Sequence, residues 1–184
     1  MSLSGSNFKY VRHFFLVLSC FLFLSCCAHV QRREIEVTAY CGCKKCCSWT
    51  RGSWKYLKLN FWNRYYVSGP DRGARYSGRT ASGKKPRQYN PGLVSIDSVK
   101  HPWMIPVRVV FFWLILPYPG TVAADTVYYP FGTIMYVPGY GKGVVEDRGS
   151  AIKGANRVDI FYRSHRRALK WGRQKRTVKI KLQR

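Results

Sequence analysis

The chain has 184 residues, and 32 Lys and Arg against 8 Asp and Glu give it a formal net charge of +24. That length supports one buried core and little more. The charge points to a polyanionic partner, yet no helix-turn-helix, zinc-finger or RNA-binding signature accompanies it, which sets nucleic acid aside.

Residues 1–28 read as an export signal. Lys9, Arg12 and His13 form a basic start, and Phe14 to Leu24 is an almost wholly apolar run. A bilayer-spanning helix needs about 20 residues, so this run has the length of a secretory signal rather than of a membrane span. Two exits are open: cleavage after Ala28, or lipidation of Cys26 in an imperfect lipoprotein box at Leu24-Ser25-Cys26. Cleavage removes Lys9 and Arg12 and no acid, lowering the formal charge only from +24 to +22. Outside the cytosol such a surface meets peptidoglycan carboxylates, teichoic acids or lipopolysaccharide. The expected product is one exported, monomeric domain over residues 29–184, in the cell envelope and membrane-attached if Cys26 is lipidated.

Glu34 to Tyr40 alternates apolar and polar side chains and predicts a first strand. It runs into Cys41-Gly42-Cys43-Lys44-Lys45-Cys46-Cys47. An even cysteine count in an oxidising compartment favours disulfides among Cys41, Cys43, Cys46 and Cys47. A thiolate metal site is the alternative. The spacing, with no second pair of ligands at a distance, argues against it, so no metal and no cofactor are assigned. From Ser48 to Gly78 Trp, Tyr and Phe interleave with basic residues, which suits a glycan-binding rim or a small satellite core.

Leu93 to Asp97 predicts a strand, and Val107 to Leu116 is an apolar run carrying Arg108 between Pro106 and Pro117. Ten residues cannot cross a bilayer as a helix, which leaves a buried strand, a membrane-touching loop or a partner surface. Strands are expected at Val122–Asp125, Gly143–Asp147 and Arg157–Tyr162. Ser164 to Gly172 reads as a short helix that buries Ala168, Leu169 and Trp171, with Ser164 as N-cap and Gly172 past its end. Thr177 to Leu182 alternates as a closing strand.

Four of the eight acids fall between Thr121 and Tyr162: Asp125, Glu146, Asp147 and Asp159. Asp125 precedes Pro130-Phe131-Gly132-Thr133; Gly139-Tyr140-Gly141 follows; then come Asp147-Arg148-Gly149-Ser150-Ala151-Ile152-Lys153-Gly154 and Arg157-Val158-Asp159. With Val37-Thr38-Ala39-Tyr40 and Thr80-Ala81-Ser82-Gly83 upstream, this order resembles the three-aspartate (3D) domain. Asp97 is not taken as the first aspartate, because no Gly-Thr corner follows it. The resemblance implies a mainly β fold, a six-stranded double-psi β-barrel with one or two short helices, related to membrane-bound lytic transglycosylase A. Against that pattern, residues about 50–78 and 84–119 are insertions.

The resemblance also implies a chemistry, cleavage of peptidoglycan glycan strands. A lytic transglycosylase can work with one Asp, which protonates the glycosidic oxygen and then takes the proton of the C6 hydroxyl as a 1,6-anhydro ring closes. Asp159 is the expected acid/base, with Asp147 raising its pKa or orienting it and Asp125 positioning a neighbour or the sugar. Tyr40, Thr80 and Lys153 are the expected substrate contacts. An Asp at its ordinary pKa of about 3.9 is ionised at neutral pH, so the role demands burial or neighbouring carboxylates. Lys153 and Arg157 work the other way, and Arg157 is in phase with Asp159. A non-catalytic wall-binding barrel, holding glycan through aromatics and charge, is the competing expectation.

Overall fold

The computed structural model describes residues 30–53, 59–69 and 71–182, so the expected signal segment and Cys26 lie outside the described residues. The elements in chain order are β1 (Val30–Tyr40), α1 (Lys44–Cys47), β2 (Trp49–Arg51), β3 (Arg64–Tyr66), α2 (Ile96–Lys100), α3 (Met104–Val110), a 3₁₀ turn (Phe112–Leu114), β4 (Gly120–Ala124), β5 (Ile134–Val137), β6 (Gly141–Asp147), β7 (Arg157–Phe161), α4 (His165–Trp171) and β8 (Gln174–Lys181). Six strands close a barrel in the order β1-β7-β4-β6-β5-β8, and β2 pairs with β3 in a separate hairpin. Two neighbouring pairs are parallel, β1 with β7 and β4 with β6. The remaining barrel pairings are antiparallel. The mainly β fold with a closed six-stranded barrel is therefore present.

The barrel forms because its strands carry β-branched residues at every second position, and those positions face one interior. Ile35 and Val37 on β1, Val122 and Ala124 on β4, Met135 and Val137 on β5, Val145 on β6, Val158 and Ile160 on β7, and Val178 and Ile180 on β8 make up the buried core. Each Val, Ile or Met among them, fully buried, contributes about 1.5–3 kcal/mol relative to exposure. All of β4 is buried, because the chain around Arg87–Asn90 covers its other side: Thr121 N–H donates to the Arg87 carbonyl at 2.7 Å. Gly120 permits that approach, since a Cβ there would run into the Tyr140 hydroxyl and the Tyr89 backbone.

In the region before β4 one sequence expectation changes and one alternative left open is removed. Leu93 to Asp97 is not a strand; Ser95 accepts a hydrogen bond from Ser98 N–H and starts α2. The apolar run 107–116 is not a strand either, but the end of α3 and the 3₁₀ turn. Pro106 sits in the first turn of α3, where its missing N–H removes no helical bond. Arg108 is drawn inside and pairs with Asp97 and Ser98, while Val110, Phe112, Trp113 and Leu116 stay exposed. No helix of the described residues is long and apolar enough to cross a membrane. In the C-terminal helix Ala168 is buried, as the pattern implied, and Trp171 is partly buried against the core, its indole N–H donating to the Val37 carbonyl at 3.2 Å. Leu169 differs: it faces solvent, 67 % exposed.

Residues 80–87 are laced onto β6. Ser82 N–H donates to the Glu146 carbonyl at 3.0 Å. The buried Glu146 carboxylate accepts from Lys84 Nζ at 3.0 Å, Arg87 Nη2 at 3.2 Å and the Thr121 hydroxyl at 3.1 Å. Glu146 reaches this position because the β4–β6 register slips: Val122 faces Val145 but Ala123 faces Asp147. Glu146 is thus the extra residue of a bulge, which turns two consecutive side chains, Val145 and Glu146, into the protein. Replacing Glu146 with Ala should cost about 1–3 kcal/mol by chemical denaturation, because the Thr121 hydroxyl loses its acceptor while the two cations regain water. It should also raise hydrogen exchange at Ser82 N–H.

Candidate functional site

The bulge and the parallel β1–β7 pairing together build one row of residues across four strands. Asp147 faces Ala123 on β4, Ala123 faces Asp159 on β7, and Asp159 faces Thr38 on β1. Directly opposed residues share a face of the sheet, so Asp147, Asp159 and Thr38 point to the same side, opposite the core residues Val158 and Ile160. Tyr40, two residues beyond Thr38, is also on that face and meets Phe161 edge-on at 5.4 Å.

Asp147 is held from three directions. The Tyr40 hydroxyl donates to Oδ2 at 2.7 Å, and the backbone N–H groups of Ala81 and Arg148 donate to Oδ1, both at 2.9 Å. Burial, and after it the charge of Asp147, pushes the Tyr40 hydroxyl well above the usual tyrosine range. Tyr40 therefore remains a donor. Thr80 shapes the turn that delivers Ala81: its N–H and its hydroxyl both donate to the Lys84 carbonyl, at 2.8 and 3.1 Å.

Asp159 is half-buried, and its Oδ1 is a buried oxygen without a hydrogen-bond partner among the described residues. Burial, joined by the charge of Asp147 and opposed by Thr38 and Arg157, raises its pKa from 3.8 to about 6. Arg157 does not neutralise it, because Glu36 takes the guanidinium: Arg157 Nε donates to Glu36 Oε1 at 2.7 Å and Nη2 lies 2.6 Å from the same oxygen. Among the described residues no ion pair involves Asp125, Asp147 or Asp159.

Asp125 sits apart from this row in its chemistry. Its Oδ1 accepts from Val127 N–H at 3.1 Å and its Oδ2 from Gly154 N–H at 2.8 Å, tying the turn after β4 to the loop before β7. Those two bonds hold its pKa below the ordinary value. An Asp that caps its own turn two residues on is using the geometry that makes Asp common in turns. Lys153 is exposed and lines a groove of about 490 Å³ with Glu34, Glu36, Asn156, Arg157 and Lys175. None of Tyr40, Asp147 and Asp159 lines that groove. The structure thus brings together Tyr40, Asp147, Asp159 and the Thr80 turn. It also fixes the places of Thr38 and Glu146, which the sequence motifs contain but to which they give no role, because both placements follow from strand register.

The aromatic segment after the cysteines divides. Trp49, Tyr66 and Tyr76 pack together beside the hairpin, Trp49 stacking on Tyr76 at 5.8 Å, while Trp62 is 78 % exposed. Cys41, Cys43, Cys46 and Cys47 are all free thiols. Three of them, Cys41, Cys43 and Cys46, converge with His165 at the start of α4.

Residues 120–184 match the 3D domain family. That match spans about a third of the chain. The matched segment contributes β4 to β8, five of the six barrel strands, and β1 from outside the matched region closes the barrel. The chain is 41% identical over 66 residues to YabE of Bacillus subtilis (strain 168), a protein whose name describes cell wall shaping; the match covers 36% of this chain and 16% of YabE. It is 39% identical over 64 residues to the cell wall-binding protein YocH of the same organism, covering 35% of this chain and 22% of YocH. The chain therefore aligns with less than a quarter of the length of either relative.

The raised pKa of Asp159 has a sign that can be checked in stability. Between about pH 4 and pH 6 the folded state holds a proton that the unfolded chain has released, so stability falls as pH rises through this window. Ionised Asp159 at pH 7 then costs on the order of 2–3 kcal/mol. Asp159→Asn should be more stable than the parent at pH 7, with the gain fading towards pH 4, when both are unfolded thermally or with urea. Equal stability at both pH values would remove the buried-carboxyl account.

Proposed function

We propose that this chain is an exported cell-wall protein that cleaves peptidoglycan glycan strands as a lytic transglycosylase, with Asp159 as acid and base. The observation that carries the reading is Asp159 itself: half-buried beside Asp147, relieved of Arg157 by Glu36, and raised to a pKa of about 6. At neutral pH roughly a tenth of such a group is protonated, against about one part in a thousand for an ordinary Asp. In the first step the Asp159 proton goes to the glycosidic oxygen as the bond from that oxygen to C1 breaks. In the second the Asp159 carboxylate takes the proton of the C6 hydroxyl while its oxygen bonds to C1. The ring closes as a 1,6-anhydro sugar and Asp159 regains its proton, so no water is consumed.

Asp147 serves as a positioning residue in this scheme. Three donors hold it in place, and its charge opposes ionisation of Asp159. Asp125 holds the loop before β7 through Gly154. Thr80 and Tyr40 act through the turn and the hydroxyl that fix Asp147. The strongly basic composition and the 3D-domain relatives named for cell wall shaping and cell wall binding support a site of action in the wall. The name of YocH, with the exposed Trp62, favours a second reading in which the barrel grips wall glycan without cutting it.

Incubation of the purified full chain with peptidoglycan sacculi separates the two. Soluble 1,6-anhydro-muropeptides that vanish in Asp159→Asn support cleavage; co-sedimentation with sacculi and no soluble product supports binding alone. Cleavage should weaken as pH rises past about 6, and Asp147→Asn should move that decline to lower pH, since one source of the raised pKa is gone. A rate independent of pH between 5 and 8, or product unchanged in Asp159→Asn, overturns the acid/base assignment.

A further inference from the structure

We propose that Cys41, Cys43, Cys46 and His165 form a structural zinc site that fastens the end of β1 to the start of α4. Their ligand atoms all lie within 4.8 Å of one another. His165 Nδ1 is 3.6 Å from Cys41 Sγ, 3.4 Å from Cys43 Sγ and 3.4 Å from Cys46 Sγ, and Cys41 Sγ is 3.6 Å from Cys46 Sγ. A tetrahedral zinc with bonds of about 2.3 Å to sulfur and about 2.0–2.1 Å to nitrogen has edges of roughly 3.6 Å between N and S and roughly 3.8 Å between S and S. Four of the six edges thus already lie within a few tenths of an ångström of that tetrahedron, and the other two are no longer than 4.8 Å.

The donor set selects the ion. Three thiolates and one imidazole in tetrahedral array suit zinc, whereas calcium and magnesium require oxygen donors. Four protein ligands leave no open position, which makes the site structural rather than catalytic. Disulfides explain less. A Cys41–Cys46 bond requires the sulfurs to close from 3.6 Å to about 2.05 Å, and it does not account for Cys43 Sγ and His165 Nδ1 converging on the same spot. Cys47 stands outside the set; its thiol donates to the Cys41 carbonyl at 3.2 Å.

The placement gives the ion a task. Cys41 follows Tyr40, whose hydroxyl holds Asp147, and the Tyr40 carbonyl accepts from Tyr162 N–H at 2.9 Å, three residues before His165. A metal bridging Cys41 and His165 braces the strand ends that carry Tyr40 and Asp159. The site is independent of whether the barrel cuts glycan, and it is read without any activity.

The full chain, purified without chelator, should contain one zinc per molecule by elemental analysis, and removal of zinc should lower the thermal midpoint. Cobalt(II) in its place should show the visible bands and thiolate charge-transfer absorption of a tetrahedral site with three sulfurs. Cys43→Ser and His165→Gln should weaken zinc binding by roughly 100-fold or more, since even the outer partners of metal ligands carry about 10–100-fold. His165→Cys should retain the metal with a four-sulfur cobalt spectrum, and Cys47→Ser should leave stoichiometry unchanged. Failure to take up zinc when fully reduced, a non-reducing mass short of the hydrogens of bonded cysteine pairs in the chain as isolated, or equal zinc loss in Cys47→Ser overturns the proposal.

Discussion

The parallel pairing of β1 with β7 is the constraint on which the rest of the molecule depends. It closes the barrel, since β1 is the strand that lies between β7 and β8. The same register sets Thr38 beside Asp159 and Tyr40 beside Phe161. Carried one residue further, it places Cys41 where α4 begins. A one-residue slip would reverse the face of every β1 side chain, withdraw Ile35 and Val37 from the core and turn Tyr40 away from Asp147. Core packing and site geometry are therefore not separate achievements here: the apolar alternation that buries Ile35 and Val37 also aims Thr38 and Tyr40.

Charge is organised by the same economy of acids. With so few carboxylates in a basic chain, five of them in and beside the barrel strands have distinct surroundings. Glu36 takes Arg157, Glu146 takes Lys84 and Arg87, Asp125 takes two backbone N–H groups, and Asp147 takes a hydroxyl and two N–H groups. Asp159 alone of these has a buried oxygen with no partner. Leaving a buried carboxyl unsatisfied costs stability. Arg157, the cation nearest in phase, pairs with Glu36 instead, and a carboxyl left with a raised pKa in this way is a candidate for a functional role.

Much of the barrel was legible in the sequence because its signal is local: period-2 alternation in Glu34–Tyr40, Arg157–Tyr162 and Thr177–Leu182 needs no knowledge of the partner strand. The acids were legible too, through ordered motifs, and Asp147 and Asp159 do share a face. What could not be read is whatever depends on register or on distant meetings. Glu146 is buried by a bulge, and a bulge is a property of two strands. Arg157 looked like the cation for Asp159 by phase, yet Glu36 on the adjacent strand claims it. His165 read as an ordinary first residue of a helix, because ligand-spacing arguments look along the chain and this histidine arrives 119 residues after Cys46. Leu93–Asp97 was misread, and the apolar run after Pro106 was left open, because short apolar stretches fit helix and strand equally well; the Ser95 cap and the inward turn of Arg108 decide for helix.

The position of β1 in the barrel also bears on how the molecule comes into being. Its two neighbours, β7 and β8, begin more than a hundred residues later, so the earliest barrel strand of a growing chain has no edge to join until the last ones emerge. Closing so long a loop is entropically costly before any contact rewards it, and topologies of this kind fold slowly. A chain halted before β7 would expose an unpaired, half-apolar strand. The ring is a post-completion event, and a truncated product is a hazard rather than a smaller version of the whole.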